Sequence, residues 1–251
     1  MNNTEKPSAK IRRVNSMEEY PDDPIIKIDT ERSEVSSIPK IIVVRHAESV
    51  ANTKGIFQGR SLDTELSKLG KKQAKALAKK LSKIGIRKII SSPLLRSYQT
   101  ALEVSRACNC TIEVSDLIIE TNHGVWEGKE KRLVSELYPD IYNTWLTKPS
   151  KAIFTGGEAF SDMLQRIKVF LEITELTENT LIVTHDNVVR VLVTLANGWT
   201  LDEIWTHNIE PAALNFFEVN KTAGKNKLKV LKLNDNRHLE GIRADLSKHA
   251  L

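Results

Sequence analysis

Apolar runs alternate along this chain with longer segments in which apolar residues recur at helical spacing. Residues 41–44 and 180–184 are mostly β-branched and bounded by polar positions, which is typical of strands covered on both faces. Across residues 64–84, apolar side chains such as Leu77 and Leu81 recur among lysines with the period of an amphipathic helix. This alternation of strands and helices predicts an α/β domain with a mainly parallel sheet.

The predicted helix over residues 64–84 also carries signals for its ends. Asp63 or Thr64 could accept hydrogen bonds from its first free N–H groups, and Gly85 follows its last apolar residue, Ile84. Further strands are predicted over residues 86–90, 213–219 and 228–233, and short apolar runs occur at 111–114 and 117–119. Further helices are predicted after Pro93 and over residues 130–138, 140–146, 158–176 and 188–196.

Length and composition fit one globular domain with an extension. The chain has 251 residues, of which 40% are hydrophobic, enough for one sizeable core. Residues 1–39 have no clear period, contain four prolines and mix charges of both signs, which predicts a disordered extension before a domain over 40–251. Eight acidic and six basic residues give the extension a charge of −2. Since the whole chain carries +5, the remaining residues carry +7.

The basic excess does not by itself indicate nucleic acid. Lysine pairs such as Lys71-Lys72 fall on the polar face of the predicted 64–84 helix, which favours a solvated surface, and the sequence has no nucleic-acid-binding motif. A positive field would still attract a small phosphorylated substrate.

Cysteine usage and hydropathy exclude several classes of protein. Cys108 and Cys110 are too few and too close for a disulfide framework or a metal site, so we expect free or structural thiols. No apolar stretch reaches the ~20 residues needed to span a bilayer, and the N-terminus lacks the apolar core of a secretory signal. We therefore expect a cytoplasmic protein without a membrane partner. Nothing in the pattern indicates an oligomeric state.

Two predicted strands end at a histidine. Arg45-His46 follows the run 41–44, and His185 follows the run 180–184. Ligands of open α/β sheets bind at the carboxyl ends of strands, so both histidines should meet at one edge. A histidine beside a fixed guanidinium group suits an anionic substrate.

Further motifs follow in a fixed order along the chain. They are Gln58-Gly59, Leu66 to Gly70, Ser91-Ser92-Pro93 with Arg96, Glu120 with Trp126-Glu127-Gly128, and Gly156-Gly157-Glu158. Together with Arg45-His46 and His185, this order resembles the histidine phosphatase superfamily, which includes cofactor-dependent phosphoglycerate mutases and many small phosphatases. The resemblance covers roughly residues 40–220. It implies a three-layer α/β/α sandwich with a mainly parallel central sheet.

The resemblance also implies a mechanism. His46 would be the nucleophile that forms a phosphohistidine intermediate, for which its ring must be neutral, and an ordinary histidine pKa near ~6.5 allows that around neutral pH. Glu120 would donate a proton to the leaving oxygen and later accept one from water. For that role its pKa should be raised by burial.

The remaining implied site residues surround the phosphoryl group. Arg45 and Arg96 correspond to the two phosphate-binding arginines, whose planar forks can hold two oxygens at once. His185 would be protonated or would donate a hydrogen bond toward the transferring group. Substrate contacts are implied for Asn52, Ser49, Gln58, Gly59 and Glu158. These groups suit an anion better than a metal ion, and the resemblance implies neither a metal nor a cofactor.

Three positions depart from the family's usual pattern. Ala47 replaces the glycine after the nucleophilic histidine, which predicts an ordinary backbone conformation or a slightly narrower pocket. Asp186-Asn187 replaces a Gly-Gly pair after His185, and Asp186 adds a negative charge near the phosphate site, which bears on substrate preference. Ala159 replaces a residue that usually carries a hydroxyl.

Residues outside the matched pattern have less specific interpretations. Trp126 fits a core or lid position as well as it fits substrate contact. The histidines that match no motif are interpreted as structural or surface residues, and they are His123, His207, His238 and His249.

The spacing after Glu120 favours one reaction. A mutase must shield its phosphohistidine from water, and the family's mutases do so with a longer excursion after the acid. Only 36 positions separate Glu120 from Gly156 here, which favours a phosphomonoesterase acting on small phosphorylated metabolites. The alternatives are a cofactor-dependent phosphoglycerate mutase and a non-catalytic module that binds phosphorylated ligands.

Overall fold

The computed structural model describes residues 11–14, 40–222 and 224–250, which build a seven-stranded mixed sheet. The strands are β1 (Ile11–Val14), β2 (Lys40–Arg45), β3 (Lys88–Ser91), β4 (Ile112–Ser115), β5 (Thr180–Thr184), β6 (Leu214–Thr222) and β7 (Lys225–Asp235). Their order across the sheet is β1-β4-β3-β5-β2-β6-β7. The central strands β4, β3, β5 and β2 are parallel, and β1, β6 and β7 pair antiparallel with their neighbours. This confirms the mainly parallel sheet.

Helices cover both faces of this sheet. They are α1 (Val50–Thr53), α2 (Lys68–Ser82), α3 (Leu95–Cys108), α4 (Lys131–Leu137), α5 (Pro139–Thr147), α6 (Phe160–Ile173) and α7 (Asp186–Asn197). Buried residues of α2 and α3 pack in one core cluster, and those of α6 and α7 pack in another. The fold is therefore the predicted three-layer α/β/α sandwich.

The side-chain alternation of β2 shows why the sheet has two covered faces. Ile42 and Val44 contribute to the core cluster that contains α2 and α3, whereas Ile41 and Val43 contribute to the cluster that contains α6 and α7. All four side chains are at most 3% exposed. Since successive strand residues point to opposite faces, an uninterrupted β-branched run buries both.

Helix α2 begins later than predicted. Its N-cap is Ser67, whose hydroxyl accepts the Gly70 N–H at 2.9 Å, so the prediction that Asp63 or Thr64 caps this helix is wrong. The first turn of α2 packs closely on the segment after β2, since a Cβ at Gly70 would lie 1.9 Å from the Glu48 carbonyl oxygen.

Aromatic side chains fill the space under the segment that carries α4 and α5. Trp126 is fully buried, and its ring lies 5.2 Å from that of Phe57, 5.7 Å from that of Trp145 and 4.8 Å from that of Phe154. The contacts with Trp145 and Phe154 are edge-to-face, a geometry that aromatic pairs favour. Of the two interpretations of Trp126, the core position is the observed one.

Three further predictions concern the ends and the surface of the domain. The predicted extension over residues 1–39 lies outside the described residues, apart from Ile11–Val14, which pairs with β4 as an edge strand. In the described part of the chain, no helix has the length and hydropathy needed to cross a bilayer. Cys108 and Cys110 are both free, and burial raises the pKa of Cys110 to about 11.

Candidate active site

The ends of β2 and β5 bring the two predicted site histidines together. Arg45 lies opposite Thr184 in the parallel ladder, and the His46 N–H donates to the Thr184 carbonyl at 2.8 Å. One residue beyond each strand, the rings of His46 and His185 have centroids 5.3 Å apart and are inclined by 62°. The strand register therefore places both imidazoles at the carboxyl edge of the sheet.

The surroundings of His46 select one form of its ring. Nδ1 lies 2.7 Å from the carbonyl oxygen of Ala47. A carbonyl oxygen only accepts hydrogen bonds, so Nδ1 carries the proton and Nε2 carries the lone pair of the neutral ring. Burial, together with the charges of Arg96 and Arg45, lowers the pKa of His46 well below its ordinary value. At neutral pH, Nε2 is therefore able to act as a nucleophile.

Arg45 is anchored along one side of its guanidinium group. Its Nη1 donates to Asp186 Oδ1 and to the carbonyl oxygen of Ile209, both at 2.9 Å. Its Nε has no hydrogen-bond partner among the described residues. The side chain is buried, so this arrangement leaves a fixed cation with part of its fork available to a ligand.

Arg96 lies in the first turn of α3 and supplies a second fixed cation. Its Nη2 donates to the Gly59 carbonyl at 2.9 Å, and its Nη1 lies 3.6 Å from a carboxylate oxygen of Asp63. Within the described ranges, Nε and Nη1 have no hydrogen-bond partner. Burial lowers the pKa of Arg96 to about 10, which leaves the group charged at neutral pH.

Glu127 holds the loop that supplies the Gly59 carbonyl. Its carboxylate accepts the N–H groups of Arg60 at 3.0 Å, Ser61 at 2.7 Å and His123 at 2.9 Å. Gly59 has a φ of 53°, and a Cβ there would lie 1.8 Å from Glu127, so only glycine fits. The sequence pattern contained Glu127 within a motif, but its role became visible only from these contacts.

His185 is a neutral group in these surroundings. Its Nε2 lies 2.7 Å from the hydroxyl of Ser92 and 3.3 Å from that of Ser97. Burial, followed by the charge of Arg96, lowers the pKa of His185 well below its ordinary value. Of the two forms expected from the sequence, the lowered pKa favours the neutral hydrogen-bond donor over the imidazolium.

Glu120 has the environment of a carboxylic acid. It is 3% exposed, and one carboxyl oxygen accepts the Thr121 N–H at 2.8 Å. Burial raises the pKa of Glu120, although Arg96 and Arg45 partly oppose that effect. A raised pKa makes the protonated form available closer to neutral pH, as proton donation requires.

A pocket opens between these groups, and most of the predicted site residues line it. Among the described residues, the lining consists of Arg45, His46, Asn52, Ile56, Gln58, Gly59, Arg96, Glu120 and Ala250. His185 borders the site through its contact with the His46 ring. Ser49 and Glu158 are not part of this lining.

Ser49 and Glu158 instead support residues that reach the pocket or its rim. Ser49 caps α1, and its hydroxyl lies within hydrogen-bond distance of Asn52 at 2.9 Å and Gln58 at 3.0 Å. Glu158 accepts from Arg60 at 2.7 Å and from Arg166 at 3.1 Å. Both side chains therefore organise the walls of the site.

The segment around His249 was missed by sequence reasoning. His249 is 4% exposed, and its Nδ1 lies 3.5 Å from Arg45 Nη2. Its Nε2 lies 3.8 Å from a carboxylate oxygen of Glu48, and the adjacent Ala250 lines the pocket. Of the two interpretations of His249, the surface position is wrong, because this side chain is buried against Arg45 beside the pocket. Only tertiary structure brings this segment to the end of β2, because no local pattern marks it.

Unsatisfied donors indicate what the pocket binds. Arg45 Nε, Arg96 Nε, Arg96 Nη1 and His185 Nδ1 are buried without a hydrogen-bond partner in the described part of the chain. A buried polar group left unpaired costs about 1–3 kcal/mol, and more when it is charged. Two guanidinium groups and an imidazole around one small space fit the several oxygens of a phosphoryl group.

Two departures from the family pattern have local explanations. The N–H of Ala47 donates to Thr100 Oγ1 at 3.1 Å, and Ala47 is not among the described residues with positive φ, so its backbone is ordinary as predicted. Ala159 caps α6 without a hydroxyl, and Asp162 accepts its N–H at 3.4 Å.

Comparison with known proteins agrees with this geometry. The phosphoserine phosphatase 1 of Hydrogenobacter thermophilus is 37% identical over 203 residues, which cover 80% of this chain and 94% of that protein. The metal-independent phosphoserine phosphatase of Arabidopsis thaliana is 32% identical over 164 residues, covering 62% of this chain and 68% of that protein.

A solved structure and a family model extend the comparison. The alpha-ribazole phosphatase of Shigella flexneri superposes with a TM-score of 0.68 at 25% identity, over 78% of this chain and 96% of that one. The model of the histidine phosphatase superfamily (branch 1) matches residues 41–235. The chain therefore belongs to the histidine phosphatase superfamily and is a phosphatase of small phosphorylated molecules.

Proposed function

We propose that this protein hydrolyses phosphate monoesters through a phosphohistidine intermediate on His46, with Glu120 as proton donor. The observation that carries the proposal is the fixed tautomer of His46. Its Nδ1 is bound to the Ala47 carbonyl, and its Nε2 lone pair belongs to a residue that lines the same pocket as Arg45 and Arg96.

The first step transfers the phosphoryl group to the protein. The Nε2 lone pair of His46 attacks phosphorus, a P–N bond forms, and the bond from phosphorus to the leaving oxygen breaks. Glu120 gives its proton to that oxygen, so the product leaves as an alcohol. Arg45 and Arg96 neutralise the charge that the non-bridging oxygens carry in the transition state.

The second step returns the protein to its starting form. The Glu120 carboxylate accepts a proton from a water molecule, whose oxygen attacks phosphorus. The P–N bond breaks, its electron pair returns to Nε2 of His46, and inorganic phosphate leaves. His185 would donate a hydrogen bond to the phosphoryl group in both steps as a neutral imidazole.

We favour hydrolysis over mutation and over simple binding. The compared relatives are named phosphatases, and Glu120, the acid needed for turnover, is present and buried in the pocket. A non-catalytic module would need the arginines but would have no use for a carboxylic acid with a raised pKa.

We propose phosphoserine as the first substrate to examine. Two relatives are named as phosphoserine phosphatases, and one of them matches over 80% of this chain. Among the described residues, only Ile56 and Ala250 line the pocket with apolar side chains, and the remaining lining is polar or charged apart from Gly59, which suits a small polar substrate. The cytoplasmic location stays a prediction.

The test is a phosphate-release screen over phosphoserine, sugar phosphates and phosphoglycerates, with wild-type protein and His46→Ala. We expect the wild type to release phosphate and to form an acid-labile, base-stable phosphoprotein that His46→Ala does not form. A wild type that neither labels nor releases phosphate across the panel would refute the proposal. Isomerisation of 3-phosphoglycerate in the presence of a bisphosphate would point to the mutase instead.

A further inference from the structure

We propose that Asp186 is a positioning residue, which holds Arg45 in the orientation that presents its free edge to the phosphoryl oxygens. The inference rests on the proposed function, since it takes the pocket to be a phosphate site. It concerns a residue at which the chain departs from its family's usual glycine.

Asp186 connects two guanidinium groups. It is the first residue of α7, is 1% exposed, and accepts from Arg45 Nη1 with Oδ1 at 2.9 Å. Its Oδ2 accepts from Arg190 Nε at 2.5 Å. Because each carboxylate oxygen engages a different arginine, Asp186 cannot shift toward one without losing the other.

Arg190 is itself fixed by its surroundings. Its Nη1 donates to the carbonyl oxygens of His207 and, at 3.3 Å, of Ile204. Its guanidinium carbon lies 5.1 Å from the centroid of the Trp205 ring, in cation–π geometry. Residues 204–207 therefore anchor one end of a series of contacts that runs through Arg190 and Asp186 to Arg45.

The charge of Asp186 is neutralised by Arg190 and Arg45. Burial alone would raise the pKa of Asp186, but the cations Arg190 and Arg45 outweigh it, so the pKa lies below its ordinary value. The carboxylate is thus ionised at neutral pH and compensated on both sides. It orients Arg45 without repelling phosphate as a free anion would.

Orientation matters because a guanidinium group binds phosphate through a planar fork. Arg45 is otherwise held by the Ile209 carbonyl on the same Nη1 and by a 3.5 Å contact from Nη2 to His249. Without Asp186 the fork could rotate away from the phosphoryl oxygens, and it would lose its buried counter-charge.

Direct binding of inorganic phosphate and orthovanadate tests the proposal without turnover. Isothermal titration of folded Asp186→Asn should give a Kd about tenfold above wild type, the loss expected for one charge-assisted hydrogen bond. The amide can accept from only one of the two arginines, so one guanidinium group loses its partner. Asp235→Asn is the matched control, because Asp235 pairs with Arg237 and Lys232 outside the pocket.

Two further variants separate positioning from general destabilisation. Arg190→Gln should weaken phosphate binding, and Arg190→Lys should restore most of it, because the ammonium group can still pair with Asp186. In an Arg45→Lys background, Asp186→Asn should cause little further loss of phosphate affinity, since lysine has no planar fork to orient. Additive losses in that background would overturn the positioning role.

The remaining outcomes are also decisive. Wild-type phosphate affinity in folded Asp186→Asn would refute the proposal. If that variant does not fold, wild-type phosphate affinity in both Arg190→Gln and Arg190→Lys would refute it. A wild type that binds phosphate but never turns over substrate would refute only the proposed function. A wild type that binds neither anion would refute both.

Discussion

At the scale of residues, two buried carboxyl groups of the site have their pKa values shifted in opposite directions. Glu120 receives one backbone N–H and has its pKa raised by burial, whereas Asp186 lies between two guanidinium groups that lower its pKa. The difference follows from hydrogen bonding to the charged form and from the distance to the nearest cations. One carboxyl can therefore exchange a proton while the other keeps an arginine in place.

The first prediction concerns Glu120→Gln. The raised pKa of Glu120 keeps the acid form present up to a higher pH, and wild-type kcat/KM for an alkyl phosphate should fall as the pH rises through that pKa. The amide cannot lose a proton, so the variant should be slower by about 10²–10⁴-fold and should lack this alkaline limb. Rates measured from pH 5 to 9 for both proteins provide the test.

An aryl phosphate serves as the control for this variant. A good leaving group needs little protonation, so Glu120→Gln should lose much less activity on it. Equal losses on alkyl and aryl substrates, or an alkaline limb that persists in the variant, would contradict the acid role.

Single residues of the site were predictable where a motif lies on a strand or helix end. Arg45, His46, Arg96 and His185 are such cases, whereas Glu120 lies in an irregular segment and was identified from the order of the motifs. The contacts of His249 with Arg45 and of Arg190 with Asp186 were not predictable in the same way. They depend on how distant segments meet, and no local pattern encodes that.

At the scale of elements, the start of α3 depends on a residue far away in sequence. The N-cap position is Leu94, which has no polar side chain, and Asp63 accepts the Leu95 N–H with both carboxylate oxygens at 2.8 and 2.9 Å. Asp63 therefore caps α3 from outside, and the same helix turn carries Arg96.

The second prediction is that Asp63→Ala lowers the free energy of unfolding by about 1 kcal/mol, the usual value of an N-cap. Thermal unfolding should then begin ~2–4 °C lower for a chain of this size. Asp63→Asn keeps an acceptor oxygen and should lose less. An unchanged midpoint in Asp63→Ala would show that water replaces the cap.

This capping explains why one element boundary was predicted wrongly. Asp63 has the residue type of an N-cap and precedes an apolar periodic segment, so local rules assign it to α2. The structure uses Ser67 there and assigns Asp63 to α3. Local chemistry predicted that Asp63 caps a helix, but not which one.

At the scale of the whole molecule, the sheet order decides which residues meet. Periodicity predicted the strands, the helices and their layers, because burial on two faces requires apolar residues at fixed intervals. It did not predict that β5 lies between β2 and β3. That order, reached by long crossovers, aligns the ends of three strands at the pocket.

The third prediction is that deletion of residues 2–39 leaves kcat and KM largely unchanged. Among the described residues, the pocket lining begins at Arg45, and β1 is an edge strand that pairs with β4. Steady-state kinetics of the shortened protein, with circular dichroism to verify folding, make the comparison. Strong inactivation of a folded product would show that the extension completes the site.

The pairing of β2 with β5 also has a consequence for how the enzyme gains activity during folding. Arg45 and Asp186 are separated by 141 positions, and bringing them together closes a very long loop. Contacts between such distant segments slow folding, since the loop entropy is lost before the contacts form. A partly folded chain can hold its helices and still lack the phosphate site altogether. Catalytic activity in a refolding sample therefore counts molecules whose central sheet is complete, and secondary structure alone does not.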